Sequence, residues 1–291
     1  MNTQLPEVSV IVRTAQRDPV FLRRALGSIR AQTLPPGEIV VFNAGGKPEM
    51  VDAAIRASDL TGILVTTRHN PPLGQAAAAN RAVQAARGTW IAFLDDDDTW
   101  APAFLEHTTR VLVQEGAAAD FGGVVTQTES VFERLIDGQL REHTRGPFNS
   151  TLKTIDLAAL AVQNRFTNNA LVFSRAAFDV VGPFREDLAI LYDWEFNVRL
   201  AAKFRLEVVP EMLAHYHQRP ADDPAPNTNL EEHARMQVRI RNEWLRADLA
   251  AGRLGLGQLA LTREVRGLGT VLADLRRWRD QCFRWMGGLF R

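Results

Sequence analysis

Four consecutive carboxylates, Asp95 to Asp98, directly follow the apolar run Trp90-Ile-Ala-Phe-Leu94. Like charges packed so closely repel, and a divalent cation is the simplest compensating partner. Oxygen-only donors suit Mg²⁺ or Mn²⁺, which keep waters and bind substrate phosphates beside one or two carboxylates. On that charge reasoning, removing one carboxylate, as in Asp97→Ala, relieves repulsion in the metal-free protein. The alternative is a solvated acidic turn ahead of a helix near Pro102, since acids are favoured at helix N-termini. Asp193, between Tyr192 and Trp194, is a second candidate. It either caps or opens a helix or, desolvated in a cleft, serves as a general base with a raised pKa. His215 and His217 flank Tyr216 and fall on one side of an alternating strand, so one offers a nitrogen ligand to a metal; a hydrogen-bonded histidine is the plainer reading.

Elements of regular period must position these groups. Short β-branched runs alternate with helix-period segments through the first third: 8–12 then 20–32, 38–42 then 48–57, 63–67 then 75–86, and 90–94 then 102–114. The strands are continuously apolar, as in a sheet covered on both faces. Short connections with right-handed crossovers predict a parallel, doubly wound α/β sheet. Ligands of such sheets bind at the carboxyl ends of the strands, where Asp95–Asp98, Arg13-Thr14-Ala15-Gln16-Arg17, Asn43-Ala-Gly-Gly46 and Arg68-His-Asn70 all fall. Gly45-Gly46 reads either as a close approach to a ligand or as a tight turn.

Beyond residue 115 the rhythm changes. The pattern predicts a hairpin over 121–132, a polar stretch to Ser150, a helix over 193–203 and a strand over 206–209 closed by Pro210. Residues 219–229 hold three prolines and read as a loop, and the chain from Leu230 reads as helix.

The chain has 291 residues, 46% hydrophobic and 23% charged, which fits a folded globular protein rather than a disordered or fibrous one. Lys+Arg and Asp+Glu balance at 34 each, so no global field holds nucleic acid. A single cysteine, Cys282, excludes an internal disulfide and any multi-cysteine metal site. No GxxxxGK[ST] loop is present, which speaks against a P-loop kinase. The first apolar run is too short for a signal peptide, and no run reaches the length of a membrane span. The expected location is therefore cytoplasmic. In the tail, Leu268, Val271, Leu275, Trp278, Cys282, Trp285 and Leu289 form one apolar helical stripe among arginines. Three partners suit it: the protein's own core, a second copy in a homodimer, or the anionic inner face of a membrane.

Together these segments resemble the family 2 glycosyltransferases. Val8-Ser-Val-Ile-Val12, Leu26-Gly-Ser-Ile-Arg-Ala-Gln-Thr33 and Glu38-Ile-Val-Val41 match that family's opening. Asn70, Gly74, Ala79-Asn80 and Ala86-Arg-Gly88 precede Phe93-Leu-Asp-Asp-Asp-Asp98 at the family's spacing. The likeness spans about residues 6–218. It implies a GT-A fold: an α/β, doubly wound, mostly parallel mixed sheet flanked by helices. A nucleotide-sugar-binding half (1–115), an acceptor half (116–222) and a helical C-terminal extension (223–291) follow from it.

The resemblance further implies inverting transfer from a nucleoside-diphosphate sugar to a glycan or lipid-linked acceptor, in polysaccharide biosynthesis, assisted by Mn²⁺ or Mg²⁺. It casts Asp95 and Asp97 as the Asp-x-Asp pair of ribose and metal, with His217 a further metal ligand, and Asp193 as the catalytic base. Thr14, Arg17, Asn43, Gln75, Asn80, Asp95 and Asp96 become the nucleotide-sugar contacts. Three segments depart from the family pattern: Arg13 stands where proline is usual, Asn43-Ala44-Gly45-Gly46 where Asp-Asp-Gly-Ser is usual, and Tyr192 where glutamate precedes the catalytic aspartate. Asn43 can hydrogen-bond a nucleobase but carries no charge. A non-catalytic nucleotide-sugar-binding relative and a sugar nucleotidyltransferase are the rival readings. The second would carry a glycine-rich basic loop, and Arg13-Thr-Ala-Gln-Arg17 has no glycine.

Overall fold

The first three β-strands, β1 (Val8–Thr14), β2 (Glu38–Ala44) and β3 (Leu64–Asn70), alternate with helices α1 (Pro19–Arg30), α2 (Pro48–Ala57) and α3 (Gln75–Ala85). The computed structural model describes residues 7–226 and 230–261. Local chemistry sets the helix starts. Asp18 caps α1 by accepting the Val20 amide, and Pro19 supplies a first-turn residue with no amide to satisfy. Phe21, Leu22, Ala25, Leu26 and Ile29 then form the buried face of α1. Pro48 opens α2 in the same way.

Next come β4 (Trp90–Asp95), the two-residue β5 (Thr99–Trp100) and α4 (Phe104–Glu115). A long hairpin follows: β6 (Phe121–Ile136) turns at Asp137-Gly138 into β7 (Gln139–Pro147). After α5 (Leu157–Val162) and a single 3₁₀ turn at Asn168–Ala170 come β8 (Leu171–Ser174), α6 (Arg175–Val181), α7 (Tyr192–Lys203), β9 (Arg205–Gln218) and α8 (Leu230–Ala251). The nine strands form one sheet in the order β3-β2-β1-β4-β8-β6-β9-β5, with β7 paired to β6. The four strands β3-β2-β1-β4 are mutually parallel. The parallel run stops there, because β8 pairs antiparallel to both β4 and β6.

Two differences from the sequence pattern have physical causes. The hairpin is not confined to 121–132: that segment is one strand, and the polar stretch before Ser150 supplies the second, β7, an edge strand whose mostly exposed side chains carry no apolar signal. Pro210 does not close the strand at 209. The ladder between β6 and β9 shifts register after Thr126, where Val209 faces Thr126 and Met212 faces Gln127. A bulge takes up Pro210 and Glu211, and a bulge is one of the places where a ladder tolerates proline.

Two compact units make up the chain. One runs to Ile155 and resumes over Asn164–Met236; the other comprises Asp156–Gln163 with the chain from Gln237. The first contains the whole sheet. Its core includes Phe93, Phe173, Phe178, Phe184 and Phe196, with ring centroids 4.5–6.2 Å apart in the contacting pairs. The second holds α5, whose Asp156 cap accepts the Ala159 amide, and Val162 accepts from Gln237. The apolar stripe from Leu268 to Leu289 lies outside the described residues.

Candidate active site

Parallel pairing fixes the first layer of the site. Arg13 and Asp95 are register partners across β1 and β4, and Thr14 is the partner of Asn43 across β1 and β2. Asp96 continues the chain past the sheet, with its amide bonded to the Arg13 carbonyl at 3.0 Å. The four carboxylates therefore do emerge at the carboxyl edge of the parallel strands.

Arginines compensate their charge. Arg13 grips Asp95 Oδ1 through Nε at 2.9 Å and through a terminal nitrogen at 2.5 Å. Arg17 reaches Asp96 at 3.0 Å and Asp97 Oδ2 at 2.6 Å. Arg219, fully buried just beyond β9, donates to the same Asp97 oxygen at 2.5 Å and to Glu133 at 2.8 Å, with its guanidinium 4.5 Å over the Phe21 ring. Thr14 donates to Asp96 at 2.7 Å. Burial pushes the Asp96 carboxyl up despite Arg17, and pushes Asp98 well up, with Asp97 and Asp95 adding to it. Asp97→Ala therefore removes a like charge beside Asp96 and Asp98, and with it the counter-ion of Arg17 and Arg219.

His217 has a hydrogen-bond partner at each ring nitrogen. Its Nδ1 lies 2.9 Å from Glu133 and its Nε2 2.9 Å from the Thr99 hydroxyl. Burial holds its pKa down, and a neutral ring donating from Nδ1 to the carboxylate accepts the Thr99 proton at Nε2. Both nitrogens are engaged, and a metal at His217 would have to displace one partner. Among the described residues, no group of three or more His, Cys, Asp or Glu side chains is arranged to hold a metal ion. The donor chemistry nevertheless fits. Asp95 keeps 34% of its side chain exposed, and Mg²⁺ or Mn²⁺ fills most of its shell with waters and substrate phosphates.

Asp193 is the second residue of α7, and it is partly exposed. The residue before the helix, Leu191, is left-handed at φ 59°, a conformation costing a non-glycine residue roughly 1 kcal/mol or more. Strain of this kind is tolerated where the surroundings impose it. Desolvation raises the Asp193 pKa, opposed by the Trp194 amide and the Arg13 charge and reinforced by Asp95. Asp193 thus combines a place in the first turn of α7 with a raised pKa.

The other candidates divide sharply. Asn43 is fully buried and turned inward: its Oδ1 accepts the Gly46 amide at 2.7 Å, and its Nδ2 donates to the Gly46 carbonyl and His69. The side chain closes its own turn instead of facing a nucleobase. Gly46 is required by packing, since a Cβ there would sit 2.5 Å from the Ala15 carbonyl oxygen. Asn80 likewise clips α3 to the chain ahead of Asp193, through the Phe184 backbone and Glu186 at 2.9 Å each. Gln75 offers its carbonyl to Arg13 at 3.2 Å and lines a large cleft.

Two cavities flank Arg17, which lines both. One of about 360 Å³ lies among Thr14, Ala15, Leu22, Gly45, Gly46 and Met50. The other, about 1200 Å³, is bounded by Gln75, Phe132, Arg134, His143, Gln218 and Arg219, among others. The sequence reading missed Glu133 and Arg219, and attached no consequence to Arg13. Arg219 opens a proline-rich loop, and nothing local marks it as the buried partner of an aspartate 122 residues earlier.

The family model described as Glycosyl transferase family 2 matches residues 9–171. The chain is 29% identical over 206 residues to the uncharacterized glycosyltransferase YwdF of Bacillus subtilis, covering 70% of this chain and 71% of that one. Among solved structures, it resembles S. aureus TarS 1-349 in complex with UDP-GlcNAc at a TM-score of 0.61 and 17% identity, covering 87% of this chain and 69% of that one. It spans 41% of the longer TarS chain. It also resembles the mannosyltransferase PcManGT from Pyrobaculum calidifontis, in complex with GDP-Man and Mn²⁺, at a TM-score of 0.57 and 19% identity, covering 91% and 81%. At these identities the two structures speak for the shared GT-A fold.

Proposed function

The chain belongs to glycosyl transferase family 2, and on that premise we propose that it is an inverting enzyme moving a sugar from a nucleoside-diphosphate sugar to a hydroxyl of a glycan or lipid-linked glycan. One observation carries the reading. The Arg13 guanidinium bonds both Asp95, in the acidic run, and Tyr192, the neighbour of Asp193. A partly exposed carboxylate with a raised pKa therefore lies beside the acidic edge of the sheet.

In this reading the nucleoside enters the cavity of about 360 Å³. Arg17, common to both cavities, meets the diphosphate, for which a guanidinium is a fitting partner. The sugar extends toward Gln75 and the larger cleft, where Phe132, His143 and Gln218 offer an apolar face and hydrogen-bonding groups to an acceptor. Asp193 takes the proton of the acceptor hydroxyl as its oxygen attacks the anomeric carbon. The new carbon–oxygen bond forms as the bond to the diphosphate breaks, and that electron pair leaves with the nucleoside diphosphate. Attack opposite the leaving group inverts the carbon. Desolvation favours Asp193 as a base, by bringing its pKa nearer the working pH. Arg17 supplies a preset charge where negative charge develops on the leaving group. When bound, a Mg²⁺ or Mn²⁺ ion held by Asp95 and Asp97 supplies Lewis-acid stabilisation of that same charge.

The test is a panel of UDP-GlcNAc, UDP-glucose and GDP-mannose, each with Mn²⁺, Mg²⁺ or chelator, read by thermal shift and by release of nucleoside diphosphate. A ligand that binds only the folded state raises its melting temperature. A metal-dependent shift with release supports the reading; shift without release under any acceptor supports a binding protein, and no shift with any donor defeats both. The same reading proposes a cytoplasmic enzyme whose tail, 268–290, contacts the membrane. No helix among the described residues is long and apolar enough to cross a membrane. Salt-sensitive co-sedimentation with anionic liposomes, lost on truncation near Arg266, is the expected result; equal behaviour of both chains rejects the contact.

A further inference from the structure

Two residues that look unrelated in sequence meet at the edge of the sheet. Arg13 ends the apolar part of β1, and Tyr192 begins α7, 179 positions later. The Arg13 side chain is only 9% exposed. Its guanidinium donates to Asp95, to the Gln75 carbonyl at 3.2 Å and to the Tyr192 hydroxyl. It also lies 5.3 Å from the centre of the Phe93 ring and 5.4 Å from that of Tyr192. One buried cation thus joins β1, β4, the start of α3 and the first turn of α7. Tyr192 is held from its other side by Phe184, edge-on at 5.7 Å. The next residue is Asp193, and the one before is the left-handed Leu191.

We propose that Arg13 and Tyr192 act as a positioning pair for sugar transfer, locking the turn that carries Asp193 to the donor-side carboxylate Asp95. The inference rests on the transferase reading given above. Neither residue touches the reacting atoms. Their role is to keep the base and the donor anchor in one frame, because small displacements of a reacting group lower turnover steeply. Arginine suits the role: its planar fork bonds a carboxylate, a carbonyl and a phenol at once while its face stacks on two rings, which an ammonium cannot do.

The test compares wild type, Tyr192→Phe, Arg13→Lys, Arg13→Met and the Arg13→Met/Tyr192→Phe double variant. Steady-state kinetics use whichever of UDP-GlcNAc, UDP-glucose and GDP-mannose the wild type turns over. Tyr192→Phe keeps the ring and removes only the hydroxyl, so kcat should fall about tenfold with donor KM little changed. Arg13→Lys, which keeps a charge for Asp95 but loses the fork, should show the same split. The double variant should be no worse than Arg13→Met alone, since the hydroxyl then has no partner to lose. Unchanged kcat in Tyr192→Phe, or losses that simply add, overturns the pair. If Arg13→Met does not fold, Tyr192→Phe and Arg13→Lys decide the matter. A second readout needs no donor: hydrogen exchange of the first turn of α7, where the Glu195 amide bonds the Leu191 carbonyl at 3.0 Å. Exchange there should quicken by about tenfold in Tyr192→Phe, with α1 unaffected; equal exchange in both proteins overturns the frame. Inactivity of the wild type on every donor falls on the transferase reading instead, and exchange then decides the frame by itself.

Discussion

Asp95 and Asp97, two residues apart, occupy opposite surroundings. Asp95 keeps a third of its side chain exposed and is held by an arginine from the adjoining strand, its own register partner. Asp97 is nearly buried, and both of its arginines come from outside the regular sheet: Arg17 from the loop after β1, Arg219 from the chain after β9. Behind Arg219 the charges continue into Glu133, which also receives Arg24 and His217. Glu133 is held down to about 2; burial opposes that shift, and its bonds to His217 and Arg24 drive it. One end of the acidic run is an open anchor on a rigid edge, and the other is the lid of a buried ion network. Proximity in sequence therefore does not make these carboxylates equivalent: Asp95 keeps access to solvent, and a ligand at Asp97 would first have to displace a partner.

The sharpest way to break the comparison is at Asp193, whose pKa the charge of Asp95 helps to raise. Asp193→Asn keeps shape and removes basicity, and turnover should fall by about 10²–10⁴-fold while binding of the nucleoside diphosphate of whichever donor the wild type uses, measured by calorimetry, stays. Near-normal turnover would return Asp193 to a purely helix-terminal role. The buried side yields next. Arg219→Met leaves Asp97 and Glu133 short of a shared partner, and loss of one member of a buried pair costs about 3–5 kcal/mol, to be read from urea unfolding. Arg17→Met should lose less stability, because water reaches the Arg17 side chain, 32% exposed, but should weaken binding of the same nucleoside diphosphate more than Arg219→Met does. If the two variants rank the other way in both measurements, the division into an open and a buried end fails. Asp97→Ala should lower stability, the reverse of what repulsion among four carboxylates predicts; a gain in the urea midpoint would reinstate repulsion as the dominant effect.

These contrasts explain what was legible in the sequence. The βα alternation of the first third predicted β1 to β4 and their helices to within a few residues, because β1, β2 and β4 are buried almost throughout and β3, at the sheet edge, still carries the β-branched run Val65-Thr66-Thr67. The carboxylates at the end of β4 and the helix bearing Asp193 were legible for the same reason. What escaped was every contact made between loops of distant parts of the chain. Arg219 reads as the start of a proline-rich loop, and only the fold brings it to Asp97 and Glu133. Asn43 and Asn80 had the right chemistry for a ligand, but an amide satisfies a backbone turn equally well, and the spacing of Asn43 to Gly46 was the local hint of that use. The edge strand β7 left no periodic trace because neither of its faces is in the core. Pro210 misled because the bulge that admits it depends on the partner strand, which no local pattern records.

The smallest expected effect concerns pH. Asp193 must be ionised to accept a proton, so activity disappears as pH falls through its pKa. Desolvation raises that pKa from its ordinary value, and the acid limb of kcat/KM should accordingly lie above the value of an exposed aspartate, about 3.9. The charged neighbours act with opposite signs: Arg13 favours the carboxylate, and Asp95 disfavours it. The neutral Tyr192 hydroxyl joins Arg13 to the same turn. Neutralising Asp95 by Asp95→Asn should move the acid limb down, whereas Arg13→Met should move it up. The sign separates this electrostatic effect from the positioning role of the same arginine, since a displaced but otherwise unchanged base lowers the plateau of the profile without moving its limb. A limb that stays fixed in both variants would mean that the Asp193 pKa is set by burial alone. Tyr192→Phe supplies the control, because it removes a hydroxyl and no charge: the plateau should drop while the limb stays within reach of the wild-type position.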